Sequence, residues 1–490
     1  MVRYLVPREE LPYDPGDKDS IVRYAKRLEG HSLREMTQQN TEMDAPKAGN
    51  KGGLGQAVEY YYFQYEPNSN QEPDFPEVGM ELKTTPIKRN KNKTISAKER
   101  LVITMINYCD IVKEEWETST CREKLDNVLL ISYLHEPEKS IFDYEIEFVD
   151  IQDFPEGDMA VIRDDWHAIV DKIRAGKAHE LSGGDTHYLE ACTKGSSSAQ
   201  LQQQPYSEVK AKTRAFALKS SYMTAFYRNN LGLQAIKRIQ GEEGIGFEEL
   251  VLRRFEQYRG MTRGQLKETL GLPQNDDVSK GDYALLTKRI LGIDPSSQVE
   301  EFIKAGIVVR TVRIQKNDTI KEHVSFPAFE FSELLEEPCW EDSAFRSACE
   351  QEFLFVVFKE DGSDYRLSGA TFWSMPAEDR AKAESVWEET RRVVLEGVSI
   401  ERMLRKEDGQ PRCTATGKPM FTNNLPGSDY NGVAHVRPHT SRSAYRFEDG
   451  SEYGDVDKDA SLLPDGRAMT KQSFWINNTY VRAQLKLKGI

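Results

Sequence analysis

The sequence predicts an α/β protein built from two tandem copies of one domain. Three observations carry this. Strand-patterned and helix-patterned segments alternate along the chain. Short motifs of the first half return in the second half in the same order. At 490 residues, the chain is also too long for one ordinary domain.

Taken in order, residues 17 to 48 read as helical with polar breaks, with an apolar stripe from Ile21 to Leu28. The run G-N-K-G-G-L-G (49 to 55) is a glycine-rich turn. No G-K-[ST] follows it, so it is not a Walker-type phosphate loop. A helix starts near Gln56, with Ala57, Val58, Tyr61 and Tyr62 on its apolar side and Glu59 among its polar residues. Val78 to Ile87 reads as a strand. Side chains alternate along a strand, so Glu81 and Lys83 share one face and Met80 and Leu82 the other. Asp74 lies just ahead, between Pro73 and Pro76, where a turn can bring it back alongside Glu81. Leu101 to Ile111 is a helix or strand, and W-E-T-S (116 to 119) precedes a helical turn containing Lys124. Val128 to Leu134 is an apolar strand. Asp164 to Gly176 is an amphipathic helix with Trp166, Ile169, Val170 and Ile173 on one side and Gly176 as its stop. The low-complexity run at 196 to 205 reads alone as a linker, but the repeat places it inside the first copy.

The repeat pairs D-F-P-E-V-G-M-E-L-K-T (74 to 84) with E-F-I-K-A-G-I-V-V-R-T (301 to 311). It pairs Gly30 with Gly260, Lys51-Gly52 with Lys280-Gly281, and Trp116-Glu117-x-Ser119 with Trp340-Glu341-x-Ser343. The strand at 128 to 133 matches 353 to 358, and Trp166 and Gly176 match Trp387 and Gly397. F-A-L-K-S-S-Y (216 to 222) matches F-W-I-N-N-T-Y (474 to 480). Gly176 to Phe216 spans 40 positions and Gly397 to Phe474 spans 77, so the second copy carries about 37 extra residues there. The expected domains are 1–240 and 241–490.

Asp74, Glu81 and Lys83 are the candidate chemistry. Two carboxylates at a strand edge suit Mg²⁺, a hard cation that prefers oxygen. A lysine beside them can orient or help deprotonate a water, a layout suited to phosphodiester hydrolysis. The spacing alone is a weak signal, since three common surface residues reproduce it by chance. The second copy sharpens it. Asp74 becomes Glu301, Glu81 becomes Val308, Lys83 becomes Arg310, and Glu59 aligns with Lys288. The scaffold positions Phe75, Gly79 and Thr84 persist as Phe302, Gly306 and Thr311. A catalytic first copy and a catalytically degenerate second copy are expected.

Composition bounds the partners. The formal charge of −14 argues against a non-specific nucleic-acid binder but leaves room for a local basic cleft. Lys88 to Arg100 carries six cations against Glu99 alone, and Lys210 to Arg228 is a second basic stretch, rich in aromatics. The longest apolar runs are strand-length, so no membrane span is expected. The N-terminus lacks the apolar core of a signal peptide. Six scattered cysteines without C-x-x-C fit a reducing cytoplasm. His435 and His439 flank Arg437 at a spacing of four, but Pro438 between them argues against a helical zinc pair.

At this point the residues resemble a known family. G-N-K-G-G-L-G-Q-A-V-E, D-x6-E-L-K-T, W-E-T-S-x4-K-L and R-A-F-x-L-K are similar to motifs of the MutH-type endonucleases. The closer resemblance is to the two-domain MutH-related type II restriction endonucleases that cut GATC. W-I-N-N-T-Y, H-V-R-P-H, M-T-K-Q-S-F and K-A-H-E-L-S extend it across nearly the whole chain. The resemblance implies a restriction-endonuclease-like fold, a mixed β-sheet flanked by helices, in both domains. It implies Mg²⁺-dependent hydrolysis of double-stranded DNA containing GATC. Asp74 and Glu81 would be metal ligands, Glu59 would complete the metal site, Lys83 would assist the attacking water, and Lys124 would lie near the scissile phosphate. Lys51, Arg214 and Lys219 fall where family members contact DNA. The second domain would bind a second DNA site as a type IIE effector, with Arg437, Lys471, Asn477 and Asn478 available for contacts. Those asparagines read equally well as helix or turn caps. A cytoplasmic protein is expected, monomeric in solution and able to pair as a dimer on DNA. Two other functions stay open: a methyl-directed nicking endonuclease of mismatch repair, and a non-enzymatic DNA-binding regulator.

Overall fold

The computed structural model describes residues 3–37, 53–67, 72–90, 93–136, 138–152, 154–194, 201–228, 233–242, 244–273, 280–405, 408–414 and 417–490. The chain forms two compact units. The first comprises Met1–Ala235 together with Ser296–Gly306, and the second Ile236–Pro295 together with Ile307–Ile490. The split falls a few residues before 240, and residues 296 to 306 join the first unit, which the repeat did not anticipate.

The first unit has a mixed sheet of β1 (Glu81–Arg89), β2 (Ile95–Ala97), β4 (Val128–Leu134) and β5 (Ile146–Gln152), in the order β2-β1-β4-β5. Strands β1 and β4 are parallel, and both outer pairings are antiparallel. A second sheet joins β3 (Leu101–Met105), β9 (Arg214–Leu218) and β6 (Leu189–Thr193). The hairpin β7 (Leu201–Gln204) and β8 (Ser207–Lys212) begins at the end of the run that reads as low complexity; residues 196–200 of that run lie outside the described residues. A short pair, β10 (Leu233–Gln234) and β11 (Gln298–Val299), ties residues 296 to 306 to the first unit. There Lys304 is buried, with its Nζ 2.8 Å from each carboxylate oxygen of Asp158.

In the second unit β12 (Val308–Ile314), β14 (Phe353–Asp361) and β15 (Asp364–Trp373) repeat the first sheet, with β12 parallel to β14. Strand β13 (Val324–Phe329) and later strands β18 (Ala434–Pro438) and β23 (Gln472–Ile476) repeat the second, in the order β13-β23-β18. The extra residues form two smaller sheets: β16 (Ile400–Arg402) with β17 (Phe421–Asn423), and a four-stranded sheet of β19 (Tyr445–Arg446), β20 (Glu452–Tyr453), β21 (Ala460–Leu462) and β22 (Ala468–Thr470) in the order β20-β19-β22-β21.

The repeat is visible at the level of atoms. Trp116 and Trp166 pack with ring centroids 5.8 Å apart, and Trp340 and Trp387 at 5.9 Å. Tyr222 donates to Asp158 at 2.9 Å, and Tyr480 to Asp379 at 2.8 Å. Ser119 and Ser343 cap equivalent helices through the amides of Arg122 and Arg346. Gly79 and Gly306 both take left-handed backbone, at φ 59° and 72°, which explains their retention in otherwise diverged turns.

Local readings need small revisions. The strand begins at Glu81 rather than Val78, because the residues before it form a turn. Leu101 to Ile111 divides into β3 and a short helix, Tyr108–Ile111. The helix expected from Asp164 starts earlier, running Glu156–Arg174, and Gly176 follows it at φ 72°. No helix among the described residues is long and apolar enough to cross a membrane.

Candidate active site

The turn before β1 decides where Asp74 goes. Phe75 and Met80 exchange backbone hydrogen bonds at 2.9 and 3.1 Å, closing a tight loop through Gly79. Buried Phe75 and Met80 anchor the loop in the core. Asp74 is thereby folded back along the strand, where its Oδ2 accepts the Leu82 amide at 2.8 Å. Strand β1 is held in register by parallel pairing with β4, Glu81 opposite Val128 and Lys83 opposite Leu130. The Glu81 amide donates to Asn127 at 3.0 Å, and the Asn127 side chain returns a bond to Val78 at 3.0 Å.

Glu81 is 4 % exposed. Its Oε1 accepts Lys83 Nζ at 2.6 Å and Lys124 Nζ at 3.0 Å. Lys124 comes from the helix Thr120–Leu125 and is itself buried. The other oxygen, Glu81 Oε2, is buried with no hydrogen-bond partner. A buried carboxylate oxygen left without a partner is costly, so this atom is suited to a ligand.

Glu59 approaches from a single π-helical turn, Val58–Tyr62, that continues the helix Gly53–Ala57. Such turns are rare and concentrate at functional sites. Gly55 lets this helix lie close to β1: a Cβ there would meet Thr84 Oγ1 at 2.9 Å. This explains part of the glycine-rich run ahead of the helix.

The carboxyls crowd one another. Burial, then repulsion from Asp74, pushes Glu59 up to about 8, although Lys83 opposes the shift. Burial, then repulsion from Glu81, pushes Asp74 up to about 6, against the pull of the Leu82 amide, Lys83 and Lys124. The buried Tyr65 hydroxyl is held well above its ordinary range by burial and by the nearby Asp74 and Glu59. A divalent cation would relieve this repulsion and give Glu81 Oε2 its missing partner. The donor set is all oxygen, as a hard cation requires. The residues therefore fit Mg²⁺.

The structure thus brings Glu59, Asp74, Glu81, Lys83 and Lys124 into one site. Sequence reasoning missed Tyr65, whose only signal is its place just after the Glu59 helix. The expected DNA contacts fare differently. Lys51 lies outside the described residues. Arg214 is interior, donating to the carbonyls of Ala191 and Leu181. Lys219 donates to the Thr186 carbonyl at the start of the helix Ser220–Tyr227. In the second unit Asn477 is buried between His435 and the Ser428 carbonyl. Asn478 donates to the Ile320 carbonyl and receives the Thr479 amide. Asn477 stands at the N-cap position of the helix Asn478–Leu487, but its side chain makes no capping hydrogen bond. Lys471 is half-buried, 3.5 Å from Glu330. Arg437 is exposed and lies over the Trp475 ring at 5.1 Å.

The second unit keeps the frame and loses the chemistry. Val308 opens β12 where Glu81 opens β1. Arg310 replaces Lys83, and burial lowers its pKa. Lys288 donates to the Pro295 carbonyl. Ala348 stands where Lys124 does, five residues after the capping serine.

Comparison with known proteins follows the same lines. Residues 63–165 match the family described as the DNA mismatch repair enzyme MutH. The chain is similar to the type II restriction enzyme Sau3AI of Staphylococcus aureus, 35% identical over 96% of this chain and 98% of that protein. It is also similar to the DNA mismatch repair protein MutH of Shewanella woodyi, 28% identical over 39% of this chain and 81% of that protein. The corresponding protein of Haemophilus ducreyi is 26% identical over 45% of this chain and 98% of its own length.

Proposed function

The chain belongs to the MutH-like type II restriction endonucleases, site-specific deoxyribonucleases that act on double-stranded DNA, and from this membership we propose a Mg²⁺-dependent enzyme that cuts both strands at GATC. The observation that carries the proposal is Glu81, whose one oxygen is shared by two lysines and whose other is buried without a partner.

Asp74 and Glu81 would hold the cation, with Glu59 completing its shell. When bound, Mg²⁺ supplies Lewis-acid polarisation of the phosphate and of the attacking water. Lys83 Nζ holds the water and stabilises the hydroxide that forms from it. Lys124 Nζ offsets negative charge growing on the phosphate oxygens. Burial of the site keeps these interactions strong.

The second unit would bind a further GATC site and activate cleavage in the first. Its lost carboxylates and lysine, together with exposed Arg437, support a DNA reader that does not cut. An arginine can pair bidentately with a guanine edge. A mismatch-repair nickase is less well supported, because the MutH proteins match less than half of this chain. A cytoplasmic location is proposed with this role. A supercoiled plasmid carrying GATC sites, incubated with Mg²⁺ or with EDTA, tests the proposal. Linear fragments with Mg²⁺ alone support it; intact plasmid in both overturns it.

A further inference from the structure

The extra residues of the second unit contain a pocket of about 380 Å³. Its walls are the half-buried rings of Phe421, Phe447 and Tyr453, with Arg402 and Glu452 at its rim. Pairing of β16 with β17 sets Arg402 directly opposite Phe421, and pairing of β19 with β20 sets Glu452 opposite Arg446. Phe421 lies 5.6 Å from Phe447 and 5.6 Å from Tyr453, tilted to them by 41° and 55°. Buried Tyr445 packs on Phe421 at 4.6 Å.

The rings leave a hollow within the size range of small-ligand sites, roughly 300–1,000 Å³. These half-buried rings pack on the core and also line the hollow, an aromatic lining suited to a flat π-system. The rim makes that guest polar and anionic. Arg402 is exposed and forms no ion pair among the described residues, and Arg412 and Lys418 add exposed cations beyond the same strands. Arg446 donates to one Glu452 oxygen at 2.7 Å, orienting the carboxylate as an acceptor. A purely apolar guest would leave the Arg402 charge unused.

We propose that this pocket takes an unstacked nucleobase of a DNA strand, stacked against Phe421 and Phe447, with Arg402 on the adjoining phosphate and Glu452 accepting from an exocyclic amino group. The proposal rests on the reading of the chain as a DNA enzyme. Aromatic stacking of this kind is tolerant of sequence. The pocket would therefore hold a strand with little specificity beyond a preference, through Glu452, for bases that carry an amino group.

The test uses the full-length chain and a short single strand without GATC, carrying 2-aminopurine. Wild-type protein is expected to change the probe's fluorescence on binding. Phe421→Ala is expected to weaken binding at least tenfold, and exposed Arg402→Ala several-fold. Equal affinity in wild type and Arg402→Ala overturns the proposal even if Phe421→Ala misfolds. A second arm competes the strand with deoxyadenosine monophosphate. Equal affinity for the free nucleotide overturns the DNA strand as the source. Wild-type plasmid digestion is scored separately, so failure of the pocket is distinguishable from failure of the enzyme reading.

Discussion

Lys83 and Lys124 donate to the same oxygen of Glu81, at 2.6 and 3.0 Å, although one comes from the strand and the other from a helix about forty residues later. That shared oxygen ties the two halves of the site together. It leaves the second Glu81 oxygen free to meet a cation.

Glu81→Gln keeps the shape and removes the charge. Single-turnover cleavage of a GATC duplex should fall by at least ~10²-fold, the scale of one lost electrostatic contact to a transition state. Lys124 would lose its counter-charge while buried, so stability should fall by ~1–3 kcal/mol as well. Cleavage within a few-fold of wild type would remove Glu81 from the chemistry.

The crowded carboxyls make a pH prediction. Glu59 sits at about 8 and Asp74 at about 6, above ordinary values of 4.5 and 3.8. Without a cation, the folded chain therefore binds more protons than the unfolded chain across that interval. Their contribution to stability is fully present below the ordinary values and is lost as pH rises toward 8. A cation must displace those protons, so Mg²⁺ should bind more tightly at pH 8 than at pH 6. Thermal unfolding in EDTA and in Mg²⁺ at both pH values measures this. Glu59→Gln should flatten the trend in EDTA; an unchanged trend would assign it to other groups.

Gly55 sets the distance between the Glu59 helix and β1. Gly55→Ala adds a carbon 2.9 Å from Thr84 Oγ1 and should push the helix outward, at a cost of ~1–3 kcal/mol. Cleavage should fall with it. Adding Thr84→Ala removes the clashing atom and should restore part of the loss. No rescue in the double variant would mean that Gly55 acts in another way.

Arg437 tests the second unit. If it contacts DNA, Arg437→Ala should weaken binding by ~1–3 kcal/mol, the scale of one bidentate base contact. The advantage of two-site over one-site plasmids should disappear with it. Cleavage rates that never depended on site number would remove the effector role.

Much of the site was legible in the sequence, for definite reasons. Alternation along β1 puts Glu81 and Lys83 on one face, and the prolines around Asp74 signal the turn that returns it. Lys124 was legible only through family resemblance, because its meeting with Glu81 depends on tertiary packing. Three features had no local signal. The π turn under Glu59 changes helix phase without a marking residue. The interior place of Arg214 depends on carbonyls supplied by Ala191 and Leu181. The transfer of residues 296 to 306 to the first unit depends on Lys304 meeting Asp158, a pairing across 146 positions. Asn477 takes the N-cap position that asparagine favours, but its side chain turns to His435 and the Ser428 carbonyl instead of capping, a choice set by tertiary partners.

The most direct measurement is to digest a plasmid of known sequence with Mg²⁺ and sequence the ends of both strands. The account predicts that every end maps to GATC and that both strands are cut at each site. Ends scattered without GATC, or breaks confined to one strand, would contradict it.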